Sequence, residues 1–246
     1  MALHYVLSGD GPPLVLLHGN GESHEIFSGQ IEAFARHFRV IAVDTRGHGN
    51  SPRGTGPFTL RRFAEDLRAL FDKLGIHKAD ILGFSDGGNT ALLFALGWPE
   101  RVGKLILVGA NFNPFGLKPG SLLEVTLGWL WEAVRSPFSK KARQRREMMA
   151  LMLFQPRLRR VQLRRILAET LVIAGSRDVI SPRHTQRLAQ ALPRAQIQIL
   201  EGSHFVLQEN PQAFNGAVLA FLRGAEGENE RYNKLYNREN GADKCK

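Results

Sequence analysis

The chain has 246 residues, 43% of them hydrophobic, enough for one large core carrying insertions. Its single cysteine, Cys245, excludes an internal disulfide framework and a thiolate metal cluster, and points to a reducing compartment. The formal net charge of +10 raises nucleic acid or an anionic surface as a partner. Residues 135–165, however, hold eleven Lys or Arg against one acid, Glu147, so a single insertion carries the whole excess and the main body is neutral.

Met1-Ala2-Leu3-His4-Tyr5-Val6 has neither the basic nor the apolar region of a signal peptide, and no apolar run approaches the roughly 20 residues that span a bilayer. A cytoplasmic protein without membrane insertion is expected. Tyr5-Val6-Leu7 and Leu14 to Leu17 read as strands joined by the turn residues Ser8 to Pro13, and the second strand runs into His18-Gly19-Asn20-Gly21. A helix is expected from about Glu25 to His37, then the strand Arg39 to Val43, ending in Asp44-Thr45-Arg46-Gly47-His48-Gly49-Asn50-Ser51.

Leu60, Phe63, Ala64, Leu67, Leu70, Phe71 and Leu74 recur at three and four, the period of a helix with one buried face, which Thr59 can cap and Gly75 can end. The apolar run Ala79 to Leu82 leads into Gly83-Phe84-Ser85-Asp86-Gly87-Gly88, followed by a helical stretch, Asn89 to Leu96. That order is strand, sharp turn, helix, and it projects a serine hydroxyl off the end of a sheet. Lys104 to Gly109 is a further apolar strand. Continuous apolar strands alternating with helices indicate a mostly parallel sheet covered on both faces.

From Asn111 to Ala168 the rhythm changes to candidate helices over Ser121–Val134, Lys140–Phe154 and Arg157–Leu167, an insertion that reads as a basic helical lid. Its charges are expected to form a solvated face, with Met148, Met149, Leu151, Met152, Leu153 and Phe154 turned toward a pocket. The sheet resumes at Leu171 to Ala174, ahead of Gly175-Ser176-Arg177-Asp178 and a helix from Arg183 to Leu192. The last strand, Ile197 to Leu200, precedes Gly202-Ser203-His204, and a helix follows from Pro211 to about Leu222. The domain reading is a core of residues 1–110 and 169–223, a lid of 111–168, and a polar tail of 224–246 expected to be disordered.

Parallel strands deliver His18-Gly19-Asn20, Asp44, Ser85-Asp86, Asp178 and His204 to one edge of the sheet, where open α/β sheets place their sites. Serine, acid, histidine in that chain order is the order of an α/β-hydrolase triad. Asp44 competes with Asp178 for the acid but is expected to brace its own loop. His18, His48 and His184 compete with His204, whose place after the final strand favours it. His4, His24, His37 and His77 are expected to be solvated or packing residues.

On the motifs His18-Gly19, Asp44-x-Arg46-Gly47-His48-Gly49-x-Ser51, Gly83-x-Ser85-x-Gly87-Gly88, Gly175-x-x-Asp178 and Gly202-x-His204, the sequence resembles the α/β-hydrolase superfamily from about Leu3 to Arg223. The resemblance implies the α/β-hydrolase fold, with a sheet of about seven to eight strands and a helical lid. It also implies a cofactor-independent serine hydrolase acting on small-molecule carboxylic esters. Ser85 is then the nucleophile, His204 its base and Asp178 the orienting acid, with the backbone N–H groups of Asn20 and Asp86 as the oxyanion hole. Met149 and Phe154 are candidate substrate contacts, and no metal is expected.

Ser-Asp-Gly-Gly at the turn, with Gly109-Ala110-Asn111, is similar to valacyclovir hydrolase and related amino-acid-ester-cleaving enzymes, where that aspartate binds the substrate's α-ammonium. Asp86 therefore has two readings, a substrate-binding acid or a cap for the helix after it. A C–C bond hydrolase or a lactonase uses the same triad, and a ligand-sensing protein could keep the fold without turnover. A nucleic-acid or membrane-surface role for the basic segment would show as strongly salt-dependent binding.

Overall fold

Seven strands form one sheet in the order β1-β3-β2-β4-β5-β6-β7 in a computed structural model that describes residues 1–224. The tail expected to be disordered falls, past Gly224, outside the described residues. The strands are β1 (Tyr5–Ser8), β2 (Pro13–Leu17), β3 (Arg39–Val43), β4 (Ala79–Phe84), β5 (Val102–Val108), β6 (Thr170–Gly175) and β7 (Ala195–Leu200). β1 pairs antiparallel with β3, and every other pairing is parallel.

The continuous apolar runs follow from burial on both faces. On one side Val15, Leu17, Ile41, Val43, Ile81, Leu105, Leu107 and Val172 join a core with α2 (Leu60–Lys73), α3 (Asp86–Gly97) and α7 (Pro182–Ala191). Their chain neighbours Leu14, Leu16, Val40, Ala42, Leu82, Ile106, Val108 and Ile173 point the other way. There they meet α1 (Ser28–Phe34), α8 (Val206–Glu209) and the helix over residues 211–224. This alternation is the period of two of an extended chain, and in the central strands it leaves the buried positions apolar.

Two expected helices are shorter than the spacing suggested. The Glu25–His37 stretch divides into a 3-10 turn, His24–Phe27, capped by Ser23, and α1, which ends at Phe34 so that the chain can turn into β3. The Arg157–Leu167 stretch is helical only over α6 (Arg160–Leu163). Leu158 N–H donates to Phe112 O at 2.9 Å and holds the chain extended there, and Arg160 and Arg164 set like charges four residues apart. α4 (Pro119–Arg135) and α5 (Lys140–Phe154) complete the helical segment between β5 and β6.

α5 reaches the β3–α2 loop. Arg53 makes a two-pronged ion pair with Glu147 at 2.9 and 2.6 Å, and Gln144 Nε2 donates to Gly47 O at 3.1 Å. That loop is itself fastened to α2 by Arg46, which pairs bidentately with Asp66 at 2.7 and 2.8 Å, both side chains being buried.

Candidate active site

β4 carries the chain to Ser85, the one non-glycine residue with positive φ among the described residues (φ 53°, ψ −119°). Such a conformation costs on the order of 1–3 kcal/mol and persists only where its surroundings enforce it. Here the Ser85 N–H donates to Val108 O at 2.8 Å, and glycines on either side permit the close approach. A Cβ on Gly83 would lie 2.5 Å from Gly87 O, and one on Gly87 would lie 2.1 Å from Leu17 O. α3 therefore starts directly behind the serine, packed against the ends of β2 and β4.

His204, in the loop after β7, places Nε2 3.0 Å from Ser85 Oγ and Nδ1 2.7 Å from Asp178 Oδ1. Asp178, in the loop after β6, is buried, and its Oδ1 also accepts the Ile180 N–H at 2.9 Å. Among the described residues its Oδ2 meets no donor. The His204 ring lies between Phe84 and Phe205, at centroid distances of 4.9 and 5.7 Å, which limits its rotation. Three loops thus bring together a hydroxyl, an imidazole and a carboxylate in hydrogen-bond sequence.

Asn20 lies beside this group. Its side-chain amide donates to Asp86 Oδ2 at 2.8 Å and to Met148 O at 2.7 Å, so one residue joins the loop after β2, the start of α3 and the middle of α5. The other Asp86 oxygen accepts Asn89 Nδ2 at 3.0 Å. Asp86 stands in the first turn of α3, where a negative charge is favoured, and its carboxylate takes two side-chain amides rather than backbone N–H groups of that helix. Burial pushes the Asp86 carboxyl above its ordinary range, against the pull of the two amide donors.

Glu22 also reaches the Gly19 turn, a placement its position in the chain does not announce. Its Oε2 accepts the Gly19 N–H at 3.0 Å and would lie 2.8 Å from a Cβ on Gly19, the same point being 3.1 Å from Ser85 Cβ. Desolvation pushes the Glu22 carboxyl up to about 7, partly offset by the Gly19 N–H and by His204. An acid three residues beyond the Gly19 turn was the available signal. Its reach back to the turn depends on loop geometry that spacing alone does not encode.

The competing groups have other partners. His18 Nε2 accepts the Thr45 N–H, and burial together with the neighbouring His48 lowers its pKa to about 4. His184 Nε2 accepts the Phe112 N–H, and desolvation lowers its pKa to about 4. Asp44 accepts the His24 and Asn50 N–H groups and the rings of His4 and His24, at 2.8 to 2.9 Å. Burial pushes its carboxyl up, but those donors outweigh it and hold the group well below the usual range. His4 and His24 are thus hydrogen-bonded partners of Asp44 rather than solvated residues. Together with Asp44 they form the one group of three potential metal ligands among the described residues, with donor atoms all within 4.8 Å of one another. Met149 packs on Gly128 of α4, and Phe154 is 42% exposed and edge-on to Trp129, contacts that do not involve the Ser85 turn.

No helix of the described residues is long and apolar enough to cross a membrane. A family model described as the alpha/beta hydrolase fold matches residues 12–165. RutD of Caulobacter vibrioides, provisionally named a carbamate hydrolase, is 30% identical over 258 residues, spanning 91% of this chain and 96% of its own. The 3-oxoadipate enol-lactonase 2 of Acinetobacter baylyi is 28% identical over 253 residues, 91% of this chain and 94% of its own. The crystal structure of a hydrolase from Pseudomonas aeruginosa PA01 superposes with a TM-score of 0.74 at 32% identity, covering 90% of this chain and 94% of that one. With its parallel sheet, its strained serine turn and these relatives, the chain belongs to the α/β-hydrolase fold family.

Proposed function

We propose that the protein is a serine hydrolase of small-molecule carboxylic esters, working through an acyl-enzyme. Ser85 Oγ attacks the ester carbonyl while His204 Nε2 takes its proton, since a neutral hydroxyl is a poor nucleophile without an adjacent base. Asp178 holds the ring by Nδ1–H and stabilises the imidazolium. The oxyanion is met by the backbone N–H groups of Asp86 and Asn20. Collapse breaks the carbonyl–oxygen bond, and His204 returns the proton to the departing alcohol. Water, deprotonated by the same imidazole, then adds to the acyl group, and collapse breaks the bond to Ser85 Oγ, which takes the proton back from His204 as the acid leaves.

The observation that carries this reading is the continuous relay from Ser85 Oγ through His204 to Asp178, at 3.0 and 2.7 Å. Ser85→Ala should abolish turnover of a p-nitrophenyl ester and leave the thermal unfolding midpoint near that of the wild type. Full residual activity in a folded variant would refute the assignment. Lactones, which are cyclic esters open to the same attack, are a second substrate class, favoured by the similarity to the Acinetobacter enol-lactonase. A panel that pairs each lactone with its open-chain ester separates the two by kcat/KM.

A further inference from the structure

α4 has one face turned to solvent that is apolar along its length. Leu123, Leu127, Leu130, Trp131 and Val134 are 61%, 57%, 49%, 64% and 71% exposed. At about 100° per residue they fall within an arc of about 100°, a single stripe. The opposite face is the one used for folding, since Gly128 meets Met149, Trp129 meets Phe154, and Glu132 is reached by Arg145. Phe138, 91% exposed, follows in the turn toward α5. A stripe of this kind, with its polar partners on other sides, marks an interaction surface.

Cations border the stripe. Arg135 lies over the Trp131 ring at 5.8 Å. Lys140, Lys141 and Arg143 open α5 immediately after Phe138 and are exposed. Of the eleven Lys and Arg between 135 and 165, ten are exposed and Arg146 is half-buried. The acids near them are few. Glu147 is spent on Arg53, Glu132 is buried between Arg135 and Arg145, and Glu124 alone is exposed on α4.

We propose that the outer face of α4, with the basic start of α5, docks on an anionic lipid surface, its leucines and Trp131 entering the interface and its cations meeting the headgroups. A bilayer surface offers an apolar layer and negative charge side by side, which is the combination this face presents. A second copy of the chain would satisfy the leucines but would bring two strongly basic faces together. A nucleic acid would satisfy the cations but leave the aliphatic stripe in water. The inference does not depend on the chemistry at Ser85.

The test is cosedimentation of the full chain with vesicles of equal parts phosphatidylglycerol and phosphatidylcholine, and with phosphatidylcholine alone. Binding is expected to the anionic vesicles only, and to fall with added salt. Each cation contributes about a fivefold factor, so Lys141→Glu with Arg143→Glu should weaken binding at least about 25-fold. Leu127→Glu with Trp131→Glu should abolish it, and because all four side chains are exposed the unfolding curves should stay at the wild-type position. Three results would each overturn the proposal. These are no sedimentation with anionic vesicles, sedimentation unchanged by the Leu127 and Trp131 substitutions, or a wild-type dimer that those substitutions convert to monomer without any vesicle binding.

Discussion

Asp86 and Glu22 place two carboxyl groups around Ser85, and burial raises both above their ordinary values. Asp86 is held by hydrogen bonds on both sides. Both oxygens accept amide donors, one from Asn20 and one from Asn89, so the residue acts as a strut holding the Asn20 loop against α3. Asp86→Ala should therefore lower kcat for a neutral ester by up to about 10²-fold through a misplaced loop. The preference between an α-amino ester and its desamino analogue should stay as in wild type. A preference for the amino ester that vanishes in Asp86→Ala would instead make the aspartate an ammonium site. The serine was legible because strand, glycines and helix all act locally on residues 79–97. Glu22 was not, since what matters is where its side chain folds back after Gly19, and that is set by the packing of the whole loop.

At the scale of elements, the loop after β3 is held between two supports of different strength. Arg46 and Asp66 are buried, with 2% and 4% exposure, while Arg53 and Glu147 are about a third exposed. Removing one partner of a buried bidentate pair strands the other charge, so Asp66→Ala should destabilise the protein by about 3–5 kcal/mol in urea unfolding. Arg53→Ala, at the screened pair, should cost about 1 kcal/mol or less. Similar losses from the two variants would contradict this ranking. α4 shows the limit of pattern reading at this scale. Period alone identifies an amphipathic stripe, but the side that packs is chosen by Gly128, which admits Met149, so the leucines face outward. The apolar lining was expected on α5, of which only Leu151 is fully buried among its long apolar residues. α6 was overestimated for a related reason, because a single long-range hydrogen bond at Leu158 outweighed local helical spacing.

For the whole molecule, the fold was legible because nearly every strand is apolar on consecutive residues and ends in a polar loop, which leaves few arrangements besides a covered parallel sheet. Its acid sensitivity came from burial and was not legible. His18 and His184 have folded pKa values of about 4 against 6.5 when free, so the unfolded chain binds more protons as pH falls through that window. Their contribution to stability is therefore fully present above about pH 6.5 and lost toward pH 4. Glu22, raised to about 7 from 4.5, acts with the opposite sign, and its contribution is lost as pH rises from about 4.5 to 7. Glu22→Gln removes that opposing slope, so the fall in unfolding midpoint between pH 6.5 and 4.5 should be steeper than in wild type. An equal or shallower fall would contradict the assigned shifts.

The central claim is that one serine of this chain is a nucleophile because a strained turn holds it 3.0 Å from an imidazole braced by a buried aspartate. Intact-mass measurement after brief exposure to a fluorophosphonate tests it most directly. A single adduct on Ser85 is predicted, absent in Ser85→Ala and formed far more slowly in His204→Ala, with all three proteins folded. No adduct on the wild type, or an adduct that survives Ser85→Ala, would contradict the account.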